Sequence, residues 1–229
     1  MGNSTRRVRK FSKKQETHKN EKRGVEAFLS IVDRPKKRAL QKYYYKKIGN
    51  YFKGKPISVL DLPSLYLDWN LEAYNEAGIN ISHYTACENN TFIANKLREN
   101  HYFSRDKQIK NSQNIRCIFS LQKRNVFKVL STSRQKFSFL NLDFCHALGS
   151  SWESFSIPGR VDRVAEEFLA LILTVNPRSP SKPCLKVEHA LEYIFPIFYN
   201  FKPVLLEKQI YRDTSAIVSY LAIYEKEQK

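Results

Sequence analysis

Three acidic residues, Asp61, Glu88 and Asp143, stand where their type and spacing could do chemistry. Each belongs to a short apolar run of strand character. Ile57-Ser58-Val59-Leu60-Asp61-Leu62 reads as a strand ending in a carboxylate, and Ile79 to Cys87 as a second strand ending at Glu88. Phe137 to Phe144 reads as a third, carrying Asp143. Asp61 and Glu88 lie 27 residues apart, the span of one strand-helix-strand unit. In an open parallel sheet a ligand sits beyond the carboxyl ends of the strands, near the switch in strand order. A carboxylate at the end of the second strand can accept from ribose hydroxyls. One at the end of the first can accept from a ligand donor, directly or through water. The competing reading of each is a helix N-cap.

The elements that would position them alternate. Leu65 to Ala77 reads as a helix closed by Gly78, Thr91 to Asn100 as a second and Asn125 to Leu130 as a third, with a strand at Ile115 to Leu121. Gly149 to Gly159 reads as a loop, and Asp162 to Leu169 begins helically. Leu169 to Val175 reads as a buried strand cut off by Pro177, and Val187 to Tyr199 as a helix. Val204 to Tyr211 and Ala216 to Tyr224 read as strands joined by the turn Arg212-Asp213-Thr214-Ser215. Alternation implies a largely parallel sheet, and the last short turn implies an antiparallel pair at one edge. No internal repeat is visible.

Charge divides the chain. Its 229 residues hold 39 Lys+Arg against 22 Asp+Glu, a net charge of +17, with an apolar fraction of 42% that suffices for a core. Residues 1–55 hold 18 basic and 4 acidic side chains, while residues 56–229 hold 21 and 18. The sequence therefore divides into a basic N-terminal arm with helices, 1–55, and a nearly neutral body, 56–229. An evenly basic, histone-like protein is excluded, and a nucleic acid, DNA or RNA, is the expected partner of the first segment. Residues 1–23, with Arg6, Arg7, Arg9, Lys10, Lys13 and Lys14, have almost nothing apolar and are expected to be disordered in isolation. A short helix is expected from Val25 to Asp33, and another from Pro35 to Tyr51. The second interleaves Lys36, Lys37, Arg38, Lys42, Lys46 and Lys47 with Leu40, Tyr43, Tyr44, Tyr45 and Ile48. Such a helix could lie on phosphates and stack on bases; equally, its tyrosines could pack it onto the body while its lysines are solvated.

Cys87, Cys117, Cys145 and Cys184 show no spacing of a zinc knuckle or redox motif, so no metal is expected and reduced thiols are the simpler reading. The longest strongly apolar run, Phe168 to Val175, is eight residues, too short for a membrane span. No apolar stretch follows the N-terminal charges, so the expectation is a cytoplasmic or nucleoid or nuclear protein, not a secreted one. Few glycines with many Lys, Asn and Tyr fit an A+T-rich coding sequence such as that of a mobile element.

Val59-Leu60-Asp61-Leu62-Pro63-Ser64, Cys87-Glu88-Asn89-Asn90 and Asn141-Leu142-Asp143-Phe144-Cys145-His146, followed by the hairpin Val204 to Tyr224, resemble motifs of the class I S-adenosylmethionine-dependent methyltransferases. The resemblance covers roughly residues 56–226. It implies an α/β, Rossmann-like, seven-stranded and mostly parallel sheet with a C-terminal antiparallel hairpin, here preceded by the basic helical extension. It implies S-adenosylmethionine as cofactor, held by Asp61, Pro63 and Ser64 in the first loop and by Glu88 and Asn89 after the second strand. Asp61 would face the methionine end and Glu88 the ribose. Asn141, Asp143 and Phe144 would form the catalytic group. In members that methylate base amines, a polar group accepts from the exocyclic amine and an aromatic ring stacks on the flipped base.

Asn141-Leu142-Asp143-Phe144 keeps the polar first and aromatic fourth positions of that motif without its prolines; a second register starts at Asp143 and ends at His146, and Phe144 also reads as a core residue. Residues 61–69 contain no glycine, and the chain has seven in all. Close approach of backbone to cofactor normally uses glycine there. The glycine-free loop argues for weak or lost activity and favours a catalytically inactive protein that binds nucleic acid or a protein partner through its arm. Methyl transfer to small molecules or proteins is a third reading. Cys145 and His146, adjacent on a strand, would point to opposite faces and make no nucleophile-base pair. Trp152 and Phe155 read as a stacking platform or as buried loop aromatics, and Asn176-Pro177-Arg178 would bring Arg178 toward the same cleft.

Overall fold

Strand β1 (Ile57–Asp61) is buried at every position, the pattern of a strand covered on both faces. The structure, a computed structural model, describes residues 34–63, 67–99, 103, 109–110, 116–144, 165–175, 201–212 and 216–227. Around β1 lie α1 (Pro35–Phe52), α2 (Leu67–Glu76), β2 (Ile81–Cys87), α3 (Thr91–Glu99), β3 (Ile109–Lys110), β4 (Arg116–Gln122), α4 (Val126–Thr132), β5 (Phe137–Asp143), β6 (Ala165–Val175), β7 (Phe201–Arg212) and β8 (Ala216–Lys226). The sheet order is β3-β4-β2-β1-β5-β6-β8-β7. The pairs β4-β2, β2-β1, β1-β5 and β5-β6 are parallel, and β8 pairs antiparallel with both β6 and β7. The two-residue β3 adds an antiparallel edge to β4. Strand order therefore switches between β1 and β5.

Local chemistry explains the boundaries. Asn90 caps α3, its Oδ1 accepting from the N–H groups of Phe92 at 2.9 Å and Ile93 at 3.2 Å. Asn125 caps α4 by accepting from Phe127 N–H at 2.9 Å. Gly78, at φ +71°, turns the chain out of α2. Two cores result. One face of the sheet carries α1, α2 and α3 over Val59, Tyr84, Phe139, Ile172 and Ile223. The other carries α4 over Leu60, Leu140, Leu142, Leu171 and Leu173.

One element differs from the sequence reading. Asp162 to Leu169 has helical character in sequence, yet β6 already begins at Ala165. Its pairing explains this: Ala165 opposes Phe137 of β5, and Phe168 opposes Glu225 of β8, so partners on both sides override local preference. The helix grouped by charge with the arm packs on the sheet, with Tyr44, Tyr45, Ile48 and Phe52 in the core on that face. Tyr44 and Tyr45 are 0% exposed. Burying each contributes on the order of 2–3 kcal/mol. Of the two readings of these tyrosines, packing is the observed one. The expected helices Val25 to Asp33 and Val187 to Tyr199 and the loop Gly149 to Gly159 lie outside the described residues. No helix among the described residues is long and apolar enough to cross a membrane.

Gly49 shows how closely α1 is seated. A Cβ there would stand 1.9 Å from the Ala77 carbonyl oxygen at the end of α2. Gly49→Ala should therefore destabilise the fold by about 2 kcal/mol or more through overpacking, although alanine is the better helix former by about 1 kcal/mol at an unhindered site. Asn50→Ala, at an exposed position of the same helix, should be neutral or stabilising. Urea titration of both variants checks this; a Gly49→Ala variant as stable as wild type would mean that α1 is not held against α2.

Candidate functional site

At the carboxyl end of β1, Asp61 is fully buried and its carboxylate meets four donors. Oδ2 accepts from Asn70 Nδ2 at 2.9 Å, Tyr74 OH at 2.9 Å and Tyr84 OH at 2.6 Å. Oδ1 accepts from Asn141 Nδ2 at 3.0 Å. Register brings the last pair together, because Asp61 of β1 lies opposite Asn141 of β5. Asn70 and Tyr74, four apart, share one face of α2. Asn141 Nδ2 also lies 2.8 Å from Tyr74 OH and 3.1 Å from Tyr45 OH, which ties α1 into the same network. Burial, with the Asp61 charge adding to it, holds the phenols of Tyr45, Tyr74 and Tyr84 well above their ordinary value, so they remain protonated. Burial also pushes Asp61 up to about 6, against the opposing effect of the Tyr84, Asn70 and Tyr74 donors.

Two residues on, along the same face of β5, Asp143 is ion-paired with Lys37 and accepts from Gln41 Nε2 at 3.3 Å. Lys37 and Gln41 are four apart on α1, so one helix face delivers both. Among the described residues, Asn141 Oδ1 and Asp143 Oδ1 are buried without a hydrogen-bond partner. Phe144 is not near them: it packs on the α4 side, stacked on Phe127 at 5.6 Å with the rings 8° apart. Its place is in the core, one of the two readings of that residue, because neighbouring strand residues face opposite ways.

Glu88 ends β2 half-buried. Its Oε1 accepts from Asn90 N–H at 2.7 Å, and burial raises its pKa above the ordinary value while the N–H groups of Asn90 and Asn89 oppose that rise. Asn89 is exposed and Pro63 buried, and Ser64 lies outside the described residues. The Cys87 and Cys117 thiols are pushed up to about 12 by burial and stay protonated. Among the described residues no group of His, Cys, Asp and Glu is arranged to hold a metal.

The basic residues of α1 divide. Lys37 departs from the expected solvent-facing set because its ammonium is buried against Asp143. Lys47 pairs with Glu207, Lys42 with Glu76 at 2.7 Å, and the Arg38 guanidinium lies 5.6 Å from the Trp69 ring centroid. Lys36, Lys42 and Lys46 are exposed, as is Tyr43. Arg6, Arg7, Arg9, Lys10, Lys13 and Lys14 lie outside the described residues, as do Cys145, His146, Trp152, Phe155 and Arg178.

This arrangement of strands is matched by a solved structure titled "Crystal structure of M. jannaschii TYW2 in complex with AdoMet", at a TM-score of 0.51 and 12% identity, over 86% of this chain and 80% of that one. The fold is the class I methyltransferase-like fold. Lower TM-scores relate it to Trm5b from Pyrococcus abyssi, at 0.47 with 12% identity over 83% of this chain and 49% of that one. Spermidine synthase from Thermotoga maritima scores 0.44, with 10% identity over 74% and 53%. No family model matches the chain, and no curated protein matches it either. At such identities the likeness extends to the fold alone. In the methyltransferase-like fold the carboxyl ends of β1, β2 and β5 adjoin the strand-order switch, the side on which ligands of open α/β sheets sit. Asp61, Glu88, Asn141 and Asp143 are all there.

Sequence reasoning missed the partners of Asp61. Asn70, Tyr74 and Tyr84 carried no motif, and only the four-residue spacing of Asn70 and Tyr74 hinted at a shared face. The Lys37-Gln41 pair gave the same hint.

The network has a pH signature. Because Asp61 is raised from 3.8 to about 6, the folded state holds its proton more tightly than the unfolded chain does between those values. Its contribution is complete below about pH 4 and is lost as pH rises through about 6, a change on the order of 3 kcal/mol. Asn cannot ionise, and the Asn141 amide can turn its Oδ1 toward it. The stability of Asp61→Asn relative to wild type should therefore improve by up to that amount from pH 4 to pH 7. Denaturation midpoints across that range check it, and a constant gap would show that Asp61 titrates normally.

Proposed function

We propose that the chain is an S-adenosylmethionine-dependent methyltransferase-type protein that acts on an amine of a nucleic-acid base. The observation that carries this reading is the carboxyl end of β5, where Asn141 Oδ1 and Asp143 Oδ1 are buried acceptors with no donor among the described residues, two residues apart on one strand face. Leaving such an acceptor unmet costs roughly 1–3 kcal/mol. An exocyclic amine carries the donors both atoms need. Glu88 fits a ribose diol: Oε1 takes one N–H bond, and the carboxylate has further acceptor sites. The AdoMet held by the structurally similar TYW2 supports the choice of cofactor. When bound, that group supplies an electrophilic methyl. The chain's own part is positioning, with Asn141 and Asp143 orienting the amine and Lys37 and Gln41 holding Asp143 in place. The nucleic-acid partner rests on the basic residues 1–55 and the exposed lysines of α1.

One observation favours a second reading. Asp61 does not fit the methionine end of the cofactor, because all four of its contacts are internal. With a first loop lacking glycine, this favours a catalytically silent protein that keeps nucleic-acid binding.

Calorimetry with S-adenosylmethionine and its demethylated product separates the two. The first reading expects saturable heat, about tenfold weaker binding for Glu88→Ala through loss of a charge-assisted bond, and transfer of a labelled methyl group to an oligonucleotide. No heat and no thermal shift at millimolar cofactor would overturn it and leave the second. An affinity unchanged by Glu88→Ala would remove Glu88 from the site.

A further inference from the structure

The near neutrality of residues 56–229 conceals a second concentration of charge. From Lys107 to Leu142 the chain has 8 Lys+Arg and no Asp or Glu. The rest of 56–229 then holds 13 basic against 18 acidic residues and is itself acidic. Part of the basic stretch surrounds a cavity of about 320 Å³ between α4 and the β2-β4 side of the sheet, on the face opposite α1. Arg124 and Arg134 line it, together with Gln122, Gln135, Ser133 and Thr85. Among the described residues no carboxylate lines it.

The cavity is built from polar groups held in place. Thr85 is 2% exposed; its hydroxyl donates to Gln135 Oε1 at 3.3 Å and accepts from Ser120 Oγ at 3.0 Å. The Ser133 hydroxyl takes the Gln135 N–H at 3.0 Å. Arg124 and Arg134 are exposed, and neither makes an ion pair among the described residues. The Thr85 and Ser133 hydroxyl protons are spent inside the cavity wall, on Gln135 Oε1 and the Gln135 carbonyl, so they hold the wall and do not reach a ligand. Two guanidinium groups beside the side-chain amides of Gln122 and Gln135, with no acid among the described residues to neutralise them, match a tetrahedral oxyanion. The lining also reaches the proposed chemistry: the Gln122 carbonyl accepts the Glu88 N–H at 3.0 Å.

We propose that Arg124 and Arg134 form a phosphodiester site, through which a nucleic-acid strand is held on the face opposite α1 while its target base reaches the carboxyl end of β5. The site deepens the functional reading above and rests on it for its occupant. Two separated basic surfaces, α1 and the α4 side, then grip one strand across the strand ends. Base readout is not required of this site, since phosphate contacts position and do not specify.

The test is fluorescence anisotropy of the full chain with a labelled single-stranded RNA of about 20 nucleotides, and with DNA of the same sequence, over a series of salt concentrations. Arg124→Ala/Arg134→Ala should weaken binding about tenfold or more and reduce the slope of log affinity on log salt by about 1.4, as for two lost phosphate contacts on a single strand. Arg98→Ala, which removes an exposed charge of α3 outside the cavity, should leave the slope nearly unchanged. The RNA and DNA arms show which polymer is held. Wild-type binding with an unaltered slope in the double variant would overturn the site while leaving the nucleic-acid reading intact. No wild-type binding to either oligonucleotide would overturn that reading and this occupant together. In that case, shifts of the two arginine Nε–H signals with pyrophosphate would mark a site for a free anion instead. Melting curves of the double variant should match wild type, because neither side chain is buried.

Discussion

A single buried carboxylate organises this protein. Asp61 lies where solvent cannot reach it, so its charge is tolerable only if donors surround it. They come from α2, β2 and β5, and Tyr45 of α1 joins through Asn141. Each donor thereby fixes an element relative to the central strand. Removing one would leave charge unmet in a low-dielectric interior, so the network favours one arrangement of helices over the sheet. The same economy has a functional consequence. In the family that this chain resembles, the end of the first strand faces the cofactor; here that carboxylate serves the fold. Under the proposed function, ligand recognition falls to Glu88 and to the end of β5, whose two acceptors meet no donor among the described residues.

Charge is divided between structure and display in the same way. The lysines of α1 look equivalent in sequence, yet Lys37 is buried against Asp143 and Lys47 is paired with Glu207, while Lys46 faces solvent. A buried ion pair has high cost if one partner is lost, whereas an exposed lysine interacts mainly with diffuse counterions or a polyanion. Averaging hides such distinctions. It hid the acid-free stretch from Lys107 to Leu142 within a body of nearly balanced charge.

Much of the fold was legible in the chain. β1, β2, β5 and the final hairpin fell close to their expected positions, because apolar runs bounded by Gly, Pro, Asn and Asp leave few alternatives. The ends of β1, β2 and β5 were correctly read as carrying Asp61, Glu88 and Asp143. The start of β6 was not legible. Glu166 and Glu167 have helical preference, and only pairing with β5 and β8 makes the segment extended.

The sequence alone thus determined where acidic groups would stand along the strands, and that the first 55 residues are strongly basic. Those properties are local: periodicity sets the strand, and covalent order sets what ends it. Only the tertiary structure decided what each group does. Asp61 meets Asn141, 80 residues away, because their strands lie in register, and Lys37 meets Asp143 because α1 packs across the sheet. Hydrogen bonds and ion pairs depend on distances of a few ångströms, and folding sets those distances between residues that the sequence leaves far apart.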